Sequence, residues 1–461
     1  MRPFNGRGLA VLFGFALAAS LARPGAAQIR LPSVTLPSVP LGAVGQGTNL
    51  AENSLGGDLS RVRILRVQAL VRANRRDIDT DRNGAAVVRG MVLSIAPSEA
   101  ALAQARADGF EIMADRTFAE LDLRVVTLRA PEHTGTPAAI DRLRKQDPAG
   151  SYEYDHLFDT GGRGLGAARF IGTAQGAAGN QVAPAGPGAP GDPAASQREN
   201  GSGADSSAAL PRVGLIDTGI DAAHPAFRQA TIHAWGCDGH PVPSDHGTAV
   251  ASLLVGHSPP FAGVLPQGEL YAADVYCGRP TGGAADAIVA AIAWLAAQQV
   301  GVINMSLVGP ANLLLARAVQ SAQARGHIIV AAVGNDGPAA APLYPAAYPG
   351  VIGVTAVDAH RKILLEACRG PHVSFAAPGA DMEGADANGK YHALRGTSYA
   401  APIVAGLLAR GFRSADSAAI SARVDELART AVDLGNPGKD PVFGYGLVGS
   451  EFRVPPGSVT Q

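Results

Sequence analysis

Arg395-Gly396-Thr397-Ser398-Tyr399-Ala400-Ala401-Pro402 is a segment in which one hydroxyl of nucleophilic type stands among small residues, where a loop meets an apolar helix. Gly396 permits a tight turn, and the apolar residues of 400–408 predict a helix buried on most sides. Ser398 then lies at the helix N-terminus, where its hydroxyl points outward and its backbone N–H is unpaired. A serine before an apolar run is most often an N-cap. Taken alone, this segment favours the cap over a nucleophile.

From Pro211 onward, short apolar runs alternate with helical segments. The runs predicted as strands are 213–216, 270–276, 302–305, 328–333 and 351–357, and the predicted helices are 246–255, 284–297 and 312–326. Nearly continuous Val, Ile and Ala strands between helices are typical of a parallel sheet that is covered on both faces. The predicted fold class is therefore α/β, with a doubly wound, mainly parallel sheet.

Polar residues stand where these apolar elements end. Asp217 follows the strand 213–216, Asn335 follows the strand 328–333, and His246 begins a helix. In doubly wound sheets, sites gather outside the carboxyl ends of the strands. A nucleophilic serine needs a base, the base needs a carboxylate, and the developing oxyanion needs donors such as the Asn335 amide. Each residue alone is more simply a turn or cap residue, but together they predict a Ser-His-Asp site.

Three motifs in this order resemble those of the subtilisin-like serine proteases: Asp217-Thr218-Gly219, His246-Gly247-Thr248 and residues 396–402. The resemblance extends over about 211–448. It implies a serine endopeptidase that acts on proteins or peptides and needs no cofactor. The implied catalytic residues are Asp217, His246 and Ser398, and the implied oxyanion donor is Asn335. Family members also carry a propeptide that acts as an intramolecular inhibitor.

The rest of the chain fits this organisation. Arg2 and Arg7 precede the apolar run 9–21 and a small-residue cleavage site, which is typical of a signal peptide. The pattern predicts export to the periplasm or the exterior. No stable membrane anchor is expected after cleavage. The predicted segments are a signal peptide at 1–27, a Pro/Gly-rich linker at 28–57, a small α+β ferredoxin-like propeptide domain at 58–158 with a βαββαβ core at about 87–158, a Gly/Ala/Pro-rich tether at 159–210, the catalytic domain at 211–449 and a tail at 450–461.

With 38 basic and 39 acidic side chains, the net charge of −1 predicts no nucleic-acid partner.

The resemblance implies that substrate binds as an added strand between 304–309 and Tyr276-Cys277-Gly278. The implied substrate-binding residues are Ser306, Leu307, Val308, Gly309, Leu343, Cys277 and Gly278. Val308 and Leu343 occupy positions where the family often has glycine, so a shallow first subsite and a preference for small residues before the cut are expected. Self-cleavage is expected at Gly161-Gly162, with Phe158 in the fourth subsite.

The cysteines and the metal content follow from the same resemblance. Cys237 and Cys277 would lie just past neighbouring parallel strands, which predicts a disulfide in an exported protein and leaves Cys368 as a free thiol. Many family members insert a calcium-binding loop after the histidine helix. Residues 256–262 are short and lack clustered oxygen ligands, so no calcium or other metal is expected there.

Two other functions are compatible with parts of the sequence. Asp-Thr-Gly is also the aspartic-protease signature and occurs at both Asp159 and Asp217. That interpretation requires a β-rich, two-lobed protein, which the helical, Ala-rich body disfavours. The other alternative is a non-catalytic, subtilase-like peptide-binding protein, which the intact set of catalytic residues disfavours.

Overall fold

The computed structural model describes residues 48–160, 210–412 and 417–459. The predicted signal peptide, most of the predicted linker and tether, and the expected cleavage position Gly161-Gly162 lie outside these residues. Among the helices that are described, none combines the length and the apolar character needed to cross a membrane. The described residues from Thr48 onward belong to one compact unit, so the division into propeptide-like and catalytic domains stays a prediction.

The N-terminal part builds an antiparallel sheet flanked by helices. Its elements are α1 (Thr48–Ala73), β1 (Ile78–Thr80), β2 (Ala86–Ile95), α2 (Glu99–Ala107), β3 (Glu111–Phe118), β4 (Leu123–Arg129), α3 (Thr136–Gln146), β5 (Ser151–His156) and β6 (Asp159–Thr160). The strand order is β1-β2-β4-β3, and β5 also pairs with β2. Apolar side chains of α2 and α3, such as Leu102 and Ile140, pack with Val92 and Leu128 of the sheet.

The start of α1 differs from the predicted segment boundary. The propeptide-like segment was expected to begin at 58, whereas α1 begins at Thr48 and takes in the last residues of the predicted linker. The helix-breaking prolines of the linker end at Pro40. Because residues 48–57 contain no proline, the helix extends upstream of the expected boundary.

The C-terminal part supplies the remaining elements. They are β7 (Arg212–Asp217), β8 (Thr231–Trp235), α4 (Asp245–Val255), β9 (His257–Ser258), β10 (Phe261–Ala262), β11 (Glu269–Asp274), α5 (Ala285–Ala297), β12 (Val302–Met305), β13 (Leu307–Val308), α6 (Leu313–Ala324), β14 (Ile328–Ala332), β15 (Ile352–Val357), β16 (Val373–Pro378), β17 (Met382–Ala385), β18 (Tyr391–Leu394), α7 (Thr397–Ala409) and α8 (Ser417–Thr430). Seven of these strands form one parallel sheet in the order β16-β15-β14-β12-β7-β11-β8.

Helices cover both faces of this sheet, which confirms the predicted α/β class. Successive residues of β14 point to opposite faces, so Val330 packs with the core beneath α4 and α7, whereas Ile329 packs with the core beneath α5 and α6. Both faces are apolar for this reason. The nearly unbroken apolar runs in the sequence are the direct consequence.

The N-terminal part packs on the helix pair α5 and α6. Glu153 accepts a hydrogen bond from the backbone N–H of Leu313 at 2.9 Å, and Asp155 accepts one from the N–H of Asp286 at 3.1 Å. Both donors lie in the first turn of a helix, where backbone N–H groups lack intrahelical partners. These contacts fix β5, and the chain then continues into β6 beside the carboxyl ends of the parallel strands.

Candidate active site

Asp217 and His246 are held together by the folding of two adjacent segments. Asp217 ends β7 and is fully buried, and its Oδ1 lies 2.7 Å from Nδ1 of His246 in the first turn of α4. The residue after His246 must be glycine, because a Cβ on Gly247 would lie 2.3 Å from the carbonyl oxygen of Thr218. The Thr218 hydroxyl accepts a hydrogen bond from the Gly247 N–H at 2.9 Å. With Nδ1 engaged by the carboxylate, Nε2 is the ring nitrogen left to act as a base.

Ser398 is the second residue of α7, and Gly396 precedes the helix with a φ of 143° that favours glycine. The sequence predicted an outward-pointing hydroxyl, but Ser398 is fully buried. Its Oγ donates to the carbonyl oxygen of Ser306 at 3.4 Å, and the Ser306 hydroxyl donates to the Ser398 carbonyl oxygen at 2.9 Å. Ser398 is therefore both a helix-start residue and a residue tied to the predicted substrate segment.

Tyr399 brings the start of α7 next to the base. Its ring centroid lies 5.6 Å from that of His246. Burial raises the pKa of the Tyr399 phenol, and the carboxylates of Asp217 and Asp245 raise it further. Tyr399 is thus a neutral spacer between the helix that carries Ser398 and the ring of His246.

Asn335 follows β14, and its side chain joins the loop after that strand to the start of α7. Its Oδ1 accepts the backbone N–H of Thr397 at 3.1 Å, and the Thr397 hydroxyl accepts the N–H of Gly334 at 3.2 Å. Asn335 Nδ2 remains as the donor. Together with Asp217 Oδ2 and His246 Nε2, it is buried and makes no hydrogen bond within the described part of the chain. Three such atoms on these three residues are available to bind a substrate, which would explain why they have no partner in the described part of the chain.

The segment β6 lies in the groove beside these residues as an added strand. Its pairing with β13 is antiparallel and places Thr160 opposite Leu307 and Asp159 opposite Val308. On the other edge, the N–H of Phe158 donates to Gly283 O at 2.8 Å, and the Tyr276 hydroxyl donates to Phe158 O at 3.1 Å. The chain itself therefore forms an added strand at the segments where the sequence predicted that substrate binds.

The second edge of the groove corrects one expectation. Cys277 and Gly278 were expected to flank the substrate strand, but the structure places Gly283 there. The Cys277 N–H donates to Asp274 Oδ1 at 2.9 Å, and within the expected segment it is Tyr276 whose side chain hydrogen-bonds to the strand. A Cβ on Gly283 would lie 2.4 Å from the Phe158 carbonyl oxygen, which explains the glycine. The Gly282-Gly283 pair just before α5 was the sequence signal for this edge.

Val308 and Leu343 converge on the backbone of Gly334. A Cβ added to Gly334 would lie 2.5 Å from Leu343 Cδ1 and 3.5 Å from Val308 Cγ1. Reciprocal backbone hydrogen bonds between Gly309 and Tyr344, at 2.8 and 3.0 Å, hold the two segments together. The structure therefore brings both side chains to the loop that carries Asn335.

The cysteines form the pair that the sequence suggested. Cys237 and Cys277 are joined by a disulfide, and Cys368 is a buried free thiol. Burial raises the pKa of the Cys368 thiol to about 12. Asp274 lies beside the disulfide, and within the described residues this trio alone has the spacing of a metal site. Its carboxylate already accepts the N–H groups of Val242, Tyr276 and Cys277, so the trio does not fit a metal ion.

Comparison with known proteins agrees with this geometry. The family model of the subtilase family matches residues 211–446. The chain belongs to the subtilase family. It is 33% identical over 252 residues to subtilisin DY from Bacillus licheniformis, which covers 52% of this chain and 89% of subtilisin DY. The chain is a serine-type endopeptidase by this membership, which confirms the prediction from the sequence.

Other relatives match a smaller share of their own length. The minor extracellular protease Epr from Bacillus subtilis (strain 168) is 32% identical over 207 residues, which cover 44% of this chain and 32% of Epr. Fervidolysin from Fervidobacterium pennivorans, described as a keratinolytic enzyme related to subtilisin, superposes with a TM-score of 0.60 at 19% identity, covering 80% of this chain and 62% of that one. The second likeness shows the fold alone.

The role of Asn335 can be tested with Asn335→Asp, which keeps an acceptor oxygen for the Thr397 N–H and removes the amide donor. We expect kcat to fall by about 10²- to 10³-fold on a chromogenic peptide, with little change in KM. Asn388→Asp, on an exposed turn, is the control and should leave both constants unchanged. An Asn335→Asp enzyme with unchanged kcat would remove Asn335 from the oxyanion site.

Proposed function

We propose that this subtilase is an exported endopeptidase made as a latent precursor, in which Asp217, His246 and Ser398 are the catalytic residues and the N-terminal part is the inhibitor. The observation that carries the proposal is the 2.7 Å contact between His246 and Asp217, with β6 of the same chain in the adjacent groove. Export rests on the signal-peptide pattern of residues 1–27. The disulfide between Cys237 and Cys277 is consistent with an oxidising compartment.

The geometry supports acyl transfer by a serine nucleophile. His246 Nε2 takes the Ser398 proton as Oγ bonds to the peptide carbonyl carbon, while Asp217 holds Nδ1–H and stabilises the imidazolium. Asn335 Nδ2 and the Ser398 N–H stabilise the oxyanion. When the C–N bond breaks, His246 returns the proton to the leaving amine. Water then hydrolyses the acyl-enzyme with His246 again as the base.

The position of β6 supports a cut directly after residue 161. Phe158 contacts Gly283, Asp159 lies opposite Val308, and Thr160 lies opposite Leu307. Phe158, Asp159 and Thr160 are then the fourth, third and second residues before the cut, so the first is Gly161. A glycine suits a first subsite narrowed by Val308 and Leu343. The self-cleavage site Gly161-Gly162 is therefore proposed.

Two observations argue against the other functions. Asp159 is half exposed and lies near Arg66, whereas Asp217 is fully buried against His246, so the two Asp-Thr-Gly copies do not have the shared environment of an aspartic-protease pair. A protein that only binds peptides would not require buried polar atoms without hydrogen-bond partners on both His246 and Asn335.

A fluorophosphonate probe tests the proposed function. We expect the parent to be labelled and to give a processed chain that begins at Gly162, and we expect Ser398→Ala to remain unlabelled and full-length. Ser450→Ala, an exposed serine, is the control and should behave as the parent. Labelling that survives Ser398→Ala, or a catalytic chain that starts far from Gly162, would contradict the assignment.

Substrate preference should follow the size of the first subsite. We expect the parent to cleave peptide libraries after Ala, Gly or Val. Val308→Gly and Leu343→Gly should each raise kcat/KM for cleavage after Phe by on the order of tenfold. Cleavage after Ala by the same variants is the internal control for misfolding. Rapid cleavage after Phe by the parent would refute the narrow subsite.

The interface between the N-terminal part and α5 should depend on pH. Burial raises the pKa of Asp155 well above its reference value of 3.8, and the carboxylate of Asp286 raises it further, against the opposing charge of Arg116. A raised folded-state pKa means that the assembled form binds the Asp155 proton more tightly than the unfolded form. The contribution of Asp155 to the free energy of unfolding is therefore greatest at low pH. It falls as the pH rises from the reference pKa of 3.8 through the raised pKa of the folded form.

Denaturant unfolding of full-length Ser398→Ala at a series of pH values measures this dependence. We expect the midpoint of the precursor to decline with pH in that window, and we expect the added change Asp155→Asn to flatten the decline. Asp141→Asn, on the exposed side of α3, is the control and should keep the slope. Equal slopes for Asp155→Asn and the control would show that this carboxylate does not titrate at the interface.

A further inference from the structure

The helix α1 reaches the loop that carries the oxyanion donor. Arg63 Nη1 donates to Asp336 Oδ2 at 2.9 Å, and Asp336 directly follows Asn335. The Arg63 side chain is 24% exposed and that of Asp336 is 8% exposed, so this ion pair is largely shielded from water. Shielded, charge-assisted hydrogen bonds are the stronger kind. The contact lies outside the β6 groove and belongs to a helix upstream of the N-terminal sheet.

One face of α1 continues this contact along the inhibitory strand. Arg63, Val67 and Val71 are spaced four residues apart and therefore share a face of the helix. Val67 and Val71 pack against a cluster that contains Ile78 and Ala86 of the N-terminal sheet, Leu157, which precedes β6, and Ala284, which follows the groove residue Gly283. The apolar face of the helix therefore belongs to the cluster in which the N-terminal sheet meets the edge of the groove.

Two arginines of α1 reach the region of the groove. Arg66 Nη1 lies 3.9 Å from Asp159 Oδ2 of β6, and Arg63 Nη1 lies 2.9 Å from Asp336 Oδ2, directly after Asn335. The helix therefore has one charged contact with the strand in the groove and one with the loop beside it.

We propose that α1 is a second inhibitory element, which docks on the Asp336 loop through Arg63 and on β6 through Arg66. The partner of the Asp336 surface is therefore a basic amphipathic helix, supplied here by the same chain. This inference rests on the proposed function and extends it. β6 alone occupies the groove before the cut, whereas α1 ties that strand to the loop that must receive the oxyanion.

The contact has a consequence for activation. After cleavage the N-terminal part is held only by noncovalent contacts, and the Arg63–Asp336 pair is one of them. Its loss leaves a largely buried carboxylate without this partner at the interface, which favours separation of the two parts. A precursor that lacks the Arg63 guanidinium should therefore become active sooner after it is cut.

The test uses the full chain and follows two events in one time course: the appearance of the processed chain on a gel and hydrolysis of a chromogenic peptide. We expect Arg63→Gln to shorten the interval between cleavage and full activity by about tenfold, as for the loss of a charge-assisted hydrogen bond. Arg61→Gln is the matched control, because Arg61 is exposed on the same helix and the charge change is identical. Arg63→Lys keeps the charge and should retain most of the parent interval.

The outcomes separate this inference from the function on which it rests. Equal intervals for Arg63→Gln, Arg61→Gln and the parent would overturn the role of α1 and leave the peptidase intact. A shorter interval in both glutamine variants would also overturn it, because the effect would then follow net charge. Absence of Ser398-dependent activity in the parent would instead refute the proposed function.

Discussion

The hydrogen bond between Asp217 and His246 is the constraint on which the rest of this structure depends. A fully buried carboxylate is unfavourable unless it is paired, and Asp217 is paired with the His246 ring and with the Thr218 N–H at 2.6 Å. Such burial requires an apolar sheet on either side of β7 and a helix that begins within reach of its carboxyl end. The doubly wound sheet supplies both, because its strands are parallel and all their carboxyl ends lie at one edge.

The close approaches at that edge explain why small residues recur there. Gly247 touches the Thr218 backbone, Gly334 touches Leu343, and Gly283 touches the Phe158 backbone, and in each case a Cβ would lie within 2.5 Å of the neighbour. Loops that approach this closely can be joined by hydrogen bonds between backbone groups and short side chains, as those of Asn335 and Thr397 show. The result is a site in which the positions of His246, Ser398 and Asn335 depend on one another.

The residues that the structure brings together here were predictable from the sequence because their motifs place a reactive side chain beside or near a glycine. The glycine is needed where the backbone turns tightly or packs closely against another segment. The strands were predictable because burial on both faces removes polar residues from β7, β12 and β14. Of the second groove edge only Tyr276 was found, because the sequence shows which segment follows β11 but not that the backbone of Gly283, rather than that of Cys277 or Gly278, hydrogen-bonds to Phe158. The start of α1 and its contact with Asp336 were also missed. A contact between residues 273 positions apart leaves no local pattern.

The proposed inhibition and the packing of the N-terminal part depend on the same features of the sheet. Helices α5 and α6 cover one face, and their N-terminal N–H groups donate hydrogen bonds to the side-chain oxygens of Asp155 and Glu153. The carboxylates that fix β5 therefore also fix the direction in which β6 enters the groove. β6 makes few contacts of its own, and a short strand that fits a peptidase groove is itself open to cleavage. If the chain is cut as proposed, retention of β6 depends on contacts outside the groove, and the Arg63–Asp336 ion pair of α1 is one of them.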